Sequence, residues 1–298
     1  MRNSEERYIS LLTDFGFKRV FGTVLNKDLL IDFLNSLFDG EQVVKDVTFL
    51  NSEHVGDVRS ERKAIFDVYC ENEQGEKFIV EMQNAYQTFF KDRSLYYATF
   101  PIREQAEKGD VWNYQLKHVY VVVLLNYEMS DPAFSTESIN HDIGLLDKQT
   151  HRVFNDKLTF KYVEISKFNK SLEELETNYD KWLYVLRNLS RLDSQPDYLR
   201  NEIFNRLFSE AEIAQFSKVE LREYEDSLKA YRDIKNSLDT AKAEGRAEGR
   251  AEGLVEGRAE GRSETLVEVV KNLLSIGTPI DSIMKATGMT EEEIKCLM

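Results

Sequence analysis

The apolar positions change period along the chain. From Leu11 to Phe38, leucines and phenylalanines recur at helical spacing through LLTDFGFKRVFG and NKDLLIDFLNSLF, and Asp39-Gly40 closes the segment. Three strand-like runs follow: VVKDVTFLN, KAIFDVYCEN and EKFIVEMQN. A helical stretch then runs from Gln87 to Lys108, stopped by Gly109. KHVYVVVLLNY is a continuous β-branched run that reads as a central strand buried on both faces, and LTFKYVEI, Leu158 to Ile165, as a further strand. The order helix, three strands, helix, strand predicts a mixed α/β layered domain over residues 1–165.

From Ser171 the pattern is wholly helical. SLEELETNYDKWLYVLRNLS opens with a Ser N-cap and Glu174 three residues on, a capping box. Amphipathic segments continue through Asp239, and residues 166–239 are expected to pack on the α/β core as a helical subdomain. Residues 240–262 carry the four-residue repeat AEGRAEGRAEGLVEGRAEGR. On a helix its Glu, Gly, Arg and Ala residues form four slowly drifting stripes, with Glu and Arg nearly opposite each other. Each Gly costs roughly 1 kcal/mol of helix stability relative to Ala. The expected form is a marginal helix or flexible spacer. The alternatives are a self-association helix whose charged stripes pair with another chain, or an Arg stripe that touches phosphates. Residues 263–298 read as three short helices broken at Gly277 and Gly288, a small helix-turn-helix-like unit with few basic residues.

The stretch FDVYCENEQGEKFIVEMQ, Phe66 to Gln83, predicts a hairpin with acids where apolar residues are expected. A turn at Glu73-Gln74-Gly75, with Gly75 taking positive φ, sets Asn72 opposite Glu76. Asp67 then faces Glu81 and Ile65 faces Gln83. Alternation places Asp67, Glu81 and Gln83 on one face and Phe66, Val68, Val80 and Met82 on the other. Directly opposed side chains have Cβ atoms roughly 4.5–5.5 Å apart, where like charges destabilise. Such a pair shares a proton, pairs with a cation or binds a metal, whereas ordinary strand acids are solvated edge charges.

The net charge of −14 argues against binding nucleic acid over the whole surface, though not through a local basic groove, and suits a site for hard cations. Four histidines without paired spacing, two distant cysteines (Cys70 and Cys296) and no glycine-rich phosphate loop leave no zinc or nucleotide-binding signature. The absence of a long apolar run or a leader-like N-terminus leads to the expectation of a cytoplasmic protein without a membrane partner.

The motifs DFGFKRVFG, FDVYC, VEMQ, FFKDRSLYY and VYVVVLLNY, in that order, resemble the Rpn-type recombination-promoting nucleases, or PD-(D/E)XK nuclease family transposases. The resemblance implies a restriction-endonuclease-like αβββαβ core, here with an all-helical C-terminal extension. It also implies a Mg²⁺- or Mn²⁺-dependent DNA endonuclease linked to recombination or mobile elements. Asp67 and Glu81 match the two metal-holding acids, and Gln83 stands where the wider superfamily more often has lysine. Asp14 matches the acid of the first helix, either as a third metal carboxylate or as a helix acid paired with Lys18 at (i, i+4). Lys18 or Arg93 would supply positive charge for a DNA phosphate, and Gln83, Gln87 and Arg93 would face one cleft; a surface salt bridge is the other reading of Arg93. Tyr96 and Tyr97 read as packing residues. DNA and a second copy of the chain, held through the helical C-terminal region, are the expected partners. The alternative function is a catalytically degenerate nuclease fold acting as a binding or assembly module. A DNA-binding regulator acting through the C-terminal helices is a third possibility, weakened by their low basic content.

Overall fold

A computed structural model describes residues 6–54, 64–106 and 113–297. The apolar stretch Leu11–Phe38 forms two helices rather than one. Helix α1, Asp14–Phe21, is capped by Thr13, whose Oγ1 accepts the Gly16 N–H at 3.1 Å. It ends at Gly22, and a 3₁₀ turn at Val24–Asn26 leads into α2, Lys27–Phe38. The apolar period runs unbroken across the two, so only the capping groups mark the break. Asp39 and Gly40, with φ of 46° and 86°, close α2 in left-handed conformations.

Strand β1 is Val47–Phe49, and β2 (Glu53–His54) and β3 (Ala64–Ile65) form a separate two-stranded ladder. The hairpin follows as β4, Val68–Asn72, and β5, Lys77–Gln83. Helix α3, Phe90–Glu104, lies within the expected helical stretch, whose stop at Gly109 lies outside the described residues. Then come β6, Val119–Leu125, β7, Asn140–Leu146, and β8, Val153–Glu164. The six-stranded sheet has the order β1-β4-β5-β6-β8-β7. Strand β6 runs parallel to both β5 and β8, and all seven of its residues are buried. Tyr120, Val122 and Leu124 join the core under α1 and α2, and Val119, Val121, Val123 and Leu125 join the core that includes Phe90 and Ala98 of α3. A strand covered on both faces has no polar face to alternate, which is why β6 is a continuous apolar run.

Strand β7 and the first residues of β8 are not foreshadowed by the apolar pattern. Both are exposed there, β7 as an edge strand antiparallel to β8, so burial imposed no period of two.

Ser171 and Glu174 form the expected capping box, but it opens only a 3₁₀ turn, Leu172–Glu174. The chain turns extended at Leu175, and α4, Asn178–Asn188, starts from a second box between Thr177 and Asp180. Helices α4 and α5, Glu202–Glu210, pack against α1 and α2 around Trp182, which is fully buried. Its ring lies 5.5 Å from Phe21, 5.7 Å from Phe33 and 5.1 Å from Phe204, and its Nε1–H donates to Asp32 Oδ2 at 2.7 Å.

Helix α6 extends from Lys218 to Ser275 and includes the whole repeat, so the repeat is helix rather than flexible spacer. The chain divides into two compact units, Met1–Lys235 and Asn236–Met298. In the second, α7 (Ile280–Thr287) and α8 (Glu291–Lys295) join the end of α6 around Val270, Ile283 and Ile294. Gly277 and Gly288, at φ 78° and 74°, make the breaks. No described helix is long and apolar enough to cross a membrane.

Space decides the sign of one substitution at two glycines. A Cβ at Gly16 would lie 2.2 Å from the Ser10 carbonyl oxygen, whereas one at Gly245 meets nothing within 4 Å. Gly16→Ala is expected to lower stability by about 1–3 kcal/mol in urea unfolding. Gly245→Ala is expected to raise helical stability by about 1 kcal/mol, read by circular dichroism and amide exchange. Equal effects at the two sites would contradict the packing around Gly16.

Candidate metal-binding site

The hairpin turn fixes the site. Gly75 has φ 77° and donates its N–H to the Asn72 carbonyl at 3.0 Å, while the Asn72 N–H donates to the Glu76 carbonyl at 3.0 Å. Asn72 Oδ1 accepts the backbone N–H groups of Gln74 and Glu76 at 3.1 and 2.9 Å. Val68 pairs with Val80 and Glu71 with Lys77, the register expected from the turn.

Asp67 lies one residue before β4, at a bend, opposite Glu81 in that register. The Asp67 N–H donates to Glu81 Oε1 at 3.2 Å, and the Met82 N–H donates to Asp67 Oδ2 at 2.9 Å. The bend has two consequences that strict alternation does not anticipate. Phe66 leaves the Val68 face and packs with Tyr69 and Tyr97, at ring separations of 5.4 and 5.1 Å. Ile65 pairs with Glu53 rather than Gln83, because the strand is interrupted between Ile65 and Val68.

Glu81 is buried and Asp67 half-buried. Both carboxyls are held above the usual range. For Asp67 the cause is burial, opposed by the Met82 N–H and by the charge of Lys18. For Glu81 it is burial and then the negative charge of Asp67. Two such groups are stable together without a cation only if one keeps its proton.

Around the pair, α1 and α3 contribute the charged groups. Asp14, in the first turn of α1, forms an ion pair with Lys18 Nζ at 2.7 Å. Among the described residues no group of three or more His, Cys, Asp or Glu side chains is arranged to hold a metal, and the partner Asp14 has here is Lys18. Burial lowers the Lys18 pKa, but the bond to Asp14 and the charges of Asp14, Asp67 and Glu81 outweigh it and raise the pKa overall.

Arg93, on α3, donates from Nη2 to Gln83 Oε1 at 2.6 Å and from Nη1 to Gln87 Oε1 at 2.5 Å. Gln83 Nε2 donates in turn to Glu81 Oε2 at 3.4 Å. The guanidinium lies 5.0 Å from the Phe90 ring centroid and 5.8 Å from that of Tyr97, and its Nε is buried without a hydrogen-bond partner. Gln83 and Gln87 are thus joined through Arg93, which is held by neutral amides rather than by the surface salt bridge considered above. Gln87 and Arg93, with Phe89 and Tyr96, line an opening of about 740 Å³.

Two contributions escaped the sequence reading. Tyr97 lies close enough to the acids that, after burial, the charge of Glu81 is the main force raising its pKa. Its spacing of four residues from Arg93 on one helix was the available signal. Asn84 Nδ2 donates to the Leu12 carbonyl at 2.7 Å and ties the end of β5 to the segment before α1. Of the histidines, His118 stacks on Tyr120 at 3.8 Å and His141 Nε2 lies 2.9 Å from the buried Glu164.

The mixed sheet, with a carboxylate pair on a hairpin and cationic residues on the flanking helices, is consistent with a nuclease-type α/β core. A family model for PD-(D/E)XK nuclease family transposases matches residues 11–241, and the chain belongs to that family. Membership supports a nuclease- or transposase-like function. The match ends inside α6, before most of the repeat. No curated protein and no solved structure gives a significant match.

The raised carboxyls predict the pH dependence of stability without metal. The folded chain holds a proton on the pair that the unfolded chain releases near the ordinary Glu value of 4.5. Stability from this source is complete below that value and is lost as pH rises through the higher folded value. Thermal unfolding in EDTA is expected to show a falling Tm from pH 5 toward pH 8 that Glu81→Gln flattens. A wild-type slope retained in Glu81→Gln would refute the assignment.

Proposed function

We propose that the protein is a divalent-metal-dependent DNA endonuclease, with Asp67 and Glu81 as its metal ligands. The observation that carries this reading is the opposition of a buried and a half-buried carboxylate, both pushed toward the protonated state, beside cationic groups from two helices. Two carboxylates suit Mg²⁺ or Mn²⁺, hard cations bound through oxygen; Mg²⁺ commonly keeps several waters beside one or two carboxylates. The bound ion would activate a water and stabilise charge on the attacked phosphate.

The protein side chains divide the remaining work. Glu81 and Asp67 would hold the cation through their oxygens, releasing the proton that the pair otherwise keeps. Gln83 carries no charge and cannot replace a lysine electrostatically; its amide links Glu81 to Arg93 and orients both. Arg93, bound only through neutral hydrogen-bond acceptors, retains its charge for a phosphate oxygen. Lys18 adds positive potential from α1. DNA enters locally, despite the acidic total. Cytoplasmic location, a role in recombination or mobile elements, and pairing of two chains to cut both strands complete this reading.

A binding or assembly module on an inactive core is the second reading, favoured by Gln83 at the position where lysine is common. DNA reading by the C-terminal unit is disfavoured, since α8 has five residues and opens with Glu291, Glu292 and Glu293.

Supercoiled plasmid incubated with Mg²⁺ or Mn²⁺ tests the proposal. Asp67→Ala and Glu81→Ala are each expected to reduce nicking at least about 100-fold, and Arg93→Ala by about 10- to 100-fold. Equal nicking by wild type and the acid variants would mean a contaminant. No nicking by any protein would favour the binding module.

A further inference from the structure

We propose that the repeat segment of α6 pairs in parallel with the same segment of a second copy of this chain, through its alanine face. This specifies the seam and direction of the pairing suggested above, and it stands whether or not the core cuts DNA.

The segment has no cover of its own. Every residue from 236 to 265 is exposed, and none of the repeat's Glu or Arg residues forms an ion pair among the described residues. Its internal electrostatics oppose the helix. Glu244, Glu248, Glu252, Glu256 and Glu260 follow one another at (i, i+4), as do Arg246 and Arg250, and Arg258 and Arg262. Like charges at that spacing destabilise a helix, and unlike charges in this repeat fall only at separations that point apart. Glycines at 245, 249, 253, 257 and 261 add to the cost. Opposite charges from another chain would offset these repulsions.

The stripes determine which direction of pairing achieves this. With successive residues about 100° apart, Glu lies on one flank of the alanine face and Arg on the other. A two-fold axis parallel to the helices exchanges the flanks, so the Glu stripe of each copy meets the Arg stripe of the other along both edges. An antiparallel pair sets Glu against Glu and Arg against Arg. The alanine face is chosen over the glycine face by the two residues that interrupt the repeat. Leu254 and Val255, 53% and 69% exposed, lie beside Ala251 at helical spacing and extend that face with apolar surface. The four-residue period drifts about 40° per repeat, so the contact is centred on Ala251–Val255 and the helices cross along their (i, i+4) ridges.

Two full-length variants test the pairing. One carries Arg246→Glu, Arg250→Glu, Arg258→Glu and Arg262→Glu; the other carries Glu244→Arg, Glu248→Arg, Glu252→Arg, Glu256→Arg and Glu260→Arg. Light scattering should give wild type twice the chain mass of 34.7 kDa and each variant alone the single mass, with the double mass restored on mixing. A monomeric wild type, variants that stay dimeric alone, or a mixture that remains monomeric would each overturn the proposal. Direction is read in a Cys296→Ser background. Oxidation should cross-link Ala247→Cys to itself. Cross-linking of Ala247→Cys only to Ala259→Cys would show antiparallel pairing and refute the parallel seam. Neither readout involves cleavage, so failure here is distinct from failure of the nuclease reading.

Discussion

The repulsion between Asp67 and Glu81 is the constraint around which the candidate site is organised. Neither acid would be tolerated alone at its depth without compensation, and their opposition makes the demand greater. The turn at Gly75 makes it unavoidable, because a hairpin closed there aligns the two numerically as well as spatially. The surroundings moderate the repulsion without removing it. Backbone N–H groups from Asp67 and Met82 each reach a carboxylate, and Lys18 and Arg93 act from a distance. Neither cation forms a direct ion pair with either acid.

The partners of Arg93 matter for the same reason. A carboxylate bound to its guanidinium would have neutralised it. Two glutamine amides instead fix its direction without a direct ion pair, and Phe90 and Tyr97 support its plane. Gln83 thereby bridges the Glu81 carboxylate and the Arg93 guanidinium. A lysine at position 83 would place a second positive charge beside Arg93, which gives a physical reason for the two residues to occur together here.

Much of this was legible in the sequence because local chemistry determined it. Gly75 set the register, and the β-branched run marked β6. What was not legible depended on context beyond a few residues. Ser171 and Glu174 have the chemistry of a helix start, but a cap does not determine whether the next turns find a surface to pack on. Strand β7 lacks a buried face, so its pairing with β8 left no apolar period. The bend at Asp67 displaced Phe66 and Ile65 from the faces that simple alternation assigns. Tyr97 looked like any aromatic residue of an amphipathic helix until the acids were seen beside it.

The two acids differ in how firmly the backbone holds them. Glu81 lies in the interior of β5, which is bonded to β4 on one side and β6 on the other. Asp67 sits on a bend between two short strand segments. Segments with fewer ladder bonds open at lower free energy than the sheet interior. A cation shared by the pair would therefore act as a clasp, borrowing the rigidity of β5 to fasten the looser start of β4. Metal affinity would then include the work of ordering that segment, and the site would be assembled by its ion as much as it receives it.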